Sequence, residues 1–121
     1  MDNKEILLAA NAAVSRGDNN GFLAFCAEEI IWEFVGEQTL QGKKAILEYM
    51  ESTYLEPPKF NVENLVAEGE YVTAVGNITI KDKQGNPTAY DYCDLWRFRN
   101  GKMVALKAFV IAGRQANYSI H

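Results

Sequence analysis

The sequence holds one histidine, His121, and it is the last residue. A Ser–His–Asp triad, or a cysteine nucleophile with a histidine base, needs an imidazole held by surrounding structure, so neither is expected. Cysteines number two, Cys26 and Cys93, far apart and outside any His/Cys cluster at ligand spacing. A bound metal is therefore not expected. No apolar run approaches the roughly 20 residues that a membrane helix needs. The opening stretch MDNKEILLAANAAV mixes charges with helical periodicity and lacks the charged tail, apolar core and cleavage site of an export signal. A membrane is not an expected partner, and the expected location is the cytoplasm, where both thiols stay free. Basic residues are too few to make a phosphate-binding stripe: 12 Lys and Arg stand against 16 Asp and Glu, for a net charge of −4. Nucleic acid is not an expected partner. These absences leave carboxylate chemistry without a cofactor, or plain binding.

With 121 residues, 48% of them hydrophobic and 23% charged, the chain has the size and composition of one globular domain with a real core. Apolar positions at Ile6, Leu7, Ala10, Ala13 and Val14 predict a helix over 3–16, closed by Gly17. Asp18 suits the N-cap of a second helix over 19–27 that buries Phe22, Leu23, Phe25 and Cys26. EIIWEFVG, 29–36, reads as a strand, EQTLQG as a short excursion, and KKAILEYMESTYL, 43–55, as a third helix ended by Pro57 and Pro58. Four strands follow, over 61–69, 71–82, 88–99 and 102–112, the last two joined at Asn100-Gly101. The tail, 113–121, is expected to be loose. Segregated helices and strands make an α+β domain, three N-terminal helices packed on a curved, mostly antiparallel sheet. Such a layering can leave a concave, mostly apolar cavity between sheet and helices.

Within AYDYCDLWRF, 89–98, one residue is out of place. Side chains alternate between faces along a strand, which puts Asp94 on the same side as Tyr90, Tyr92, Trp96 and Phe98. Glu33 is likewise the lone charge in IIWEFV. A carboxylate buried without a partner is costly, so it finds hydrogen bonds or takes up a proton as its pKa rises. Two acids in one apolar pocket would drive their pKa values apart, leaving one donor and one base. That pair suits proton abstraction beside a carbonyl, dehydration, or addition of water to an epoxide. The alternatives stay open: Asp94 as an anchor for Tyr49, Tyr54, Tyr92 or backbone, and Glu33 as an outward-facing residue. Tyr49, Tyr54, Tyr92 and Trp96 read singly as core, and together as a wall for a flat apolar ligand.

The order of elements, with GD…F…F…EEIIWEFVGEQTLQGKKAI over 17–46 and CDLWRFRNGKMV over 93–104, resembles the NTF2-like superfamily, in particular its SnoaL-like and ketosteroid-isomerase-like branch. The resemblance spans about residues 3–112 and implies a cone-shaped α+β fold. It places Glu33 on the isomerases' general base, in IWEFVG, and Asp94 on their proton-donating acid, before an RF pair. That acid is kept neutral by an apolar site. The family's oxyanion tyrosine corresponds to Ala10 and its supporting tyrosines fall near Cys26 and Met50, so steroid isomerisation itself does not carry over. The resemblance implies a small apolar, cyclic molecule as substrate or ligand. Glu33 and Asp94 are the candidate catalytic pair, and Trp32, Tyr49, Met50, Tyr54, Tyr92, Trp96 and Val110 are candidate substrate contacts.

Arg97 and Lys107 are expected on the other sheet face, and Arg114 falls in the tail. Along the last strand Met103, Ala105 and Phe109 alternate with Val104, Leu106, Ala108 and Val110, so both faces are apolar. Helices cover one; the other forms a patch too large to leave wet, which predicts a homodimer through the outer sheet face.

Overall fold

The protein, a computed structural model, is described over residues 1–112; the tail at 113–121, with Arg114, lies outside them. Helix α1 (Asn3–Ser15) starts on a capping box, in which Asp2 accepts from the Glu5 amide at 2.8 Å and Glu5 accepts from the Asp2 amide at 3.0 Å. It buries the expected stripe, Ile6, Leu7, Ala10, Ala13 and Val14. Gly17 then takes φ +80°, the left-handed conformation that closes a helix, and its amide reaches the Val14 carbonyl.

Asp18 caps α2 (Asn19–Leu23), whose five residues end earlier than the expected 27. Phe25 and Cys26 belong to the sheet instead: strand β1 (Cys26–Phe34) begins three residues early, and the Met103 amide donates to the Phe25 carbonyl. Pairing with a distant strand overrides the local helical spacing. The excursion EQTLQG is also partly strand, β2 (Gln38–Gln41), folded back on β1. Helix α3 (Gly42–Thr53) buries Ile46 and Met50. Strands β3 (Lys59–Glu68), β4 (Tyr71–Lys81), β5 (Pro87–Arg99) and β6 (Lys102–Ala112) complete the chain.

The six strands lie in the order β2-β1-β6-β5-β4-β3, with β1 and β6 parallel and every other neighbour antiparallel. The sheet curves without closing, and α1, α2 and α3 pack on its concave side. Three register breaks shape it, one of them between Cys26 and Ile31, where β1 runs out of step with β6; the other two are bulges. One lies between Val62 and Asn64, opposite Gly76, where an added Cβ would collide with the Asn61 carbonyl and come within 3.0 Å of the Tyr92 hydroxyl. The other adds Val104 to β6, since Phe98 pairs with Met103 but Arg97 with Ala105. That extra residue changes the parity expected for β6: Met103 joins Leu106 and Ala108 in the core, while Ala105, Lys107 and Phe109 face outward. Asn100 (φ +52°) and Gly101 (φ +75°) form the tight β5–β6 turn that their sequence signals.

Candidate functional site

The concave side of the sheet does not fill completely. A cavity of about 230 Å³ remains between the sheet and the helices. All seven candidate contact residues line it: Trp32 from β1, Tyr49 and Met50 from α3, Tyr54 just after α3, Tyr92 and Trp96 from β5, and Val110 from β6. Asp94 lines it too.

The register explains the space around Asp94. Its direct neighbours across the ladders are Ala74 on β4 and Ala108 on β6, both buried and both small. On either side along β5, Tyr92 and Trp96 project the same way, so the carboxyl sits in a notch between two rings. Asp94 Oδ1 is sealed from solvent and has no hydrogen-bond partner among the described residues. The expected alternative, an anchor held by the tyrosines, is therefore not what this oxygen does. Loss of hydration raises the carboxyl pKa to about 7. The same burial, with Asp94 nearby, pushes the Tyr54 hydroxyl upward and the Tyr92 hydroxyl to about 12. Tyr49 is raised as well, mainly by burial. All three hydroxyls are protonated at neutral pH and can donate.

Glu33 is a correction. It shares a face with Ile31 and Val35, as its spacing implies, but that face is the outer one; Trp32 and Phe34 point to the cavity instead. In register Glu33 lies beside Lys107 on β6 and Thr39 on β2, and it does not line the cavity. The two acids of the sequence reading stand on opposite sides of one sheet. IIWEFV carries large side chains at every position, so its pattern could not fix which parity faced inward.

Three polar residues of the wall went unread. Asn11 is the one polar side chain in the Ile6–Val14 stretch of α1, a signal that was available. It and Val14 face the cavity, while Ala10 is fully buried. Thr53 closes α3, and Glu37 comes from the β1–β2 turn and is exposed, placing it at the rim. Nothing in the turn's sequence marks Glu37 for that place.

Trp32 centres the aromatic wall. Its ring meets those of Phe22, Phe34, Tyr49 and Trp96 edge-on, with centroids 5.7, 6.0, 6.2 and 6.1 Å away. Trp32 Nε1 is the second buried polar atom without a partner among the described residues. Cys26 is buried beside the Phe22 carbonyl, its thiol pushed by burial to about 12, whereas Cys93 is exposed on the outer face. A thiol held that high is inert as a nucleophile. No group of three His, Cys, Asp or Glu side chains that could hold a metal occurs among the described residues.

The SnoaL-like domain model matches residues 7–106, most of the chain. The chain belongs to the SnoaL-like domain family. As a SnoaL-like domain it falls within the NTF2-like superfamily, and its solved neighbours agree. An NTF2-like protein from Burkholderia xenovorans LB400 is 30% identical, with 89% of this chain and 88% of that one covered and a TM-score of 0.69. SalBIII, described as an epoxide hydrolase/cyclase-like enzyme in pyran ring formation in the polyether salinomycin, is 21% identical over 88% of each chain, with a TM-score of 0.82. TerC, co-crystallised with polyporic acid, is 19% identical over 88% of this SnoaL-like domain and 89% of its own chain, with a TM-score of 0.76. The last two likenesses bear on fold alone. A search of curated proteins finds no match. No helix among the described residues is long and apolar enough to cross a membrane.

Proposed function

We propose that the cavity is the site of an enzyme that moves a proton on a small, apolar, cyclic substrate, with Asp94 as its acid–base group and no cofactor. The reaction class is isomerisation, cyclisation, dehydration or hydration. One observation carries this: Asp94 lines the cavity, and its Oδ1 is buried without a hydrogen-bond partner among the described residues. A carboxyl with a pKa of about 7 both gives and takes a proton near neutral pH. Tyr54 and Tyr92, protonated throughout that range, supply donors to an oxygen on which charge develops. The aromatic wall suits a flat ring. Neighbours described as an epoxide hydrolase/cyclase-like enzyme and as a complex with polyporic acid support ring chemistry in this fold.

A second reading, a binding module in which Asp94 only orients its ligand, is favoured by the place of Glu33. With Glu33 outside, the sealed wall holds one acid instead of two, and the other acid, Glu37, is at the rim. Proton exchange separates the readings. In D2O, the protein is expected to catalyse α-deuteration of 1-tetralone, with a rate rising as pH passes through about 7. Asp94→Asn is expected to abolish catalysis while 1-tetralone still binds. Binding without exchange by the wild type at every pH, for this ketone and a panel of cyclic epoxides, would leave the binding module.

The outer sheet face supports a homodimer. Ile31 on β1 and Val35 just after it are each 39% exposed, and Phe109 and Ile111 on the adjacent β6 are 43% and 69% exposed. A second copy related by a two-fold axis would cover the same patch on both partners.

A further inference from the structure

Among the described residues only two buried side-chain polar atoms lack a partner, Trp32 Nε1 and Asp94 Oδ1, and both residues line the one cavity. The proposed function uses the second; nothing in it uses the first. Trp32 is 5% exposed. Its indole nitrogen is a donor only, and a buried donor left unmade is costly. Four edge-on aromatic neighbours fix the ring plane, and none of them, the Tyr49 hydroxyl included, accepts from Nε1. Fold geometry sets the distance between the two polar atoms' strands. Trp32 opposes Leu106 on β6, and Asp94 opposes Ala108 on the same strand from its other side. Two strand spacings across the sheet, about 10 Å, and two residues along β6, about 7 Å, put their backbones about 12 Å apart. One bicyclic molecule lying on β6 between them would reach both side chains. The charged residues of the lining, among those described, are Glu37 and Asp94, with no Lys, Arg or His.

We infer that Trp32 Nε1–H anchors an oxygen acceptor of the bound molecule, so the site takes neutral ring compounds bearing a carbonyl, ether or epoxide oxygen and rejects carboxylates. This rests on the cavity being the ligand site. It assigns to Trp32 a specificity-determining hydrogen bond beyond its packing role. An anionic ligand would enter without a cation to meet it and beside a carboxyl, at a large desolvation cost.

Three ligands of one ring system test it: 1-tetralone, the hydrocarbon tetralin, and 1,2,3,4-tetrahydro-1-naphthoate. The full chain labelled with 15N shows two indole N–H resonances, from Trp32 and Trp96, and Trp32→Phe assigns them. The ketone is expected to bind about tenfold more tightly than tetralin and to move the Trp32 indole proton downfield. Tetralin is expected to leave that proton in place. In Trp32→Phe the tenfold preference for ketone over tetralin is expected to disappear, the smaller ring weakening both ligands by a similar factor. The carboxylate is expected to bind at least about tenfold more weakly than the ketone at pH 8. Equal affinity for ketone and hydrocarbon, stronger binding of the carboxylate, or no binding of any of the three would overturn the inference. Should Trp32→Phe lose its dispersed spectrum, Trp96→Phe assigns the two resonances, and the wild-type indole shift with ketone against tetralin decides. The acid–base reading fails separately: a downfield indole shift with no deuterium exchange would sink catalysis and leave the Trp32 anchor standing.

Discussion

Asp94 couples the cavity to stability through its proton. Its folded pKa is about 7, against an ordinary 3.8, because the charged form loses its hydration. The sign follows from linkage: the folded chain holds this proton more tightly than the unfolded chain does. Below about pH 4 both forms are protonated and the group is neutral in its effect. As pH rises towards 7 the unfolded chain ionises freely while the folded one resists, and the protein loses stability. Above the folded pKa the loss is complete, on the order of 4 kcal/mol. Asp94→Asn removes the titration, so the variant is expected to gain on the wild type as pH goes from 4 to 9. Urea midpoints across that range measure it. Parallel profiles for the two proteins would mean that the carboxyl is solvated and the acid–base role is lost with it. Glu33→Gln is expected to change neither the ketone affinity nor the pH dependence, because Glu33 sits on the other face beside Lys107. Asp94 was legible from alternation alone, since β5 carries rings on one side and charges on the other. Glu33 was not, since β1 gives no polar face to read. Trp32 was legible as wall, but its unmet N–H depends on which side chains surround it, a matter of tertiary packing.

At the scale of elements, the helices that carry their own caps were readable. Gly17 and Asp18 mark the end of α1 and the start of α2 through local hydrogen bonds, while the start of α1 was read from its apolar stripe and not from the Asp2–Glu5 box. The end of α2 was not, because it is decided by Cys26 pairing with Met103, a contact 77 residues away. Nor was β2, whose QTLQ has no apolar alternation and owes its strand character to β1 alone. Gly76 looks unremarkable within YVTAVGNITIK, yet it lets the β3 bulge and the Tyr92 ring approach the same backbone. Gly76→Ala is expected to destabilise the domain by at least about 2 kcal/mol, because the obstacle is the Asn61 carbonyl and not a flexible side chain. It should also weaken 1-tetralone binding, since Tyr92 stands on the cavity wall. Urea unfolding with an unchanged slope, together with the tetralone titration, checks both. A variant as stable as the wild type would show that the sheet can flatten there at no cost.

The whole molecule puts its two apolar surfaces on opposite sides of one sheet, and among the described residues only the inner one has a cover. The outer one runs from Ile31 on β1 and Val35 just after it across Ala105 and Phe109 on β6 to Cys93 on β5. Charged residues flank it: Glu33 beside Lys107, Asp91 opposite Ile111, and Arg97 paired with Glu70 at 3.1 Å near the end of β5. A second copy of this face would bury aliphatic and ring surface worth about 25 cal/mol for each Å² removed from water. Since a two-fold interface repeats each contact, one substitution counts twice. Phe109→Glu would bring like charges together across the axis and add a charge to each partner's Glu33 face. Sedimentation at micromolar concentration is expected to show a dimer for the wild type and a monomer for Phe109→Glu. The variant's ketone affinity is expected to hold within about threefold, because Phe109 points away from the cavity while Ala108 and Val110 line it. A wild type that sediments as a monomer at all concentrations would leave the outer face to some other cover. A monomeric Phe109→Glu that also loses the ligand would mean that the cavity depends on the neighbouring copy for its shape.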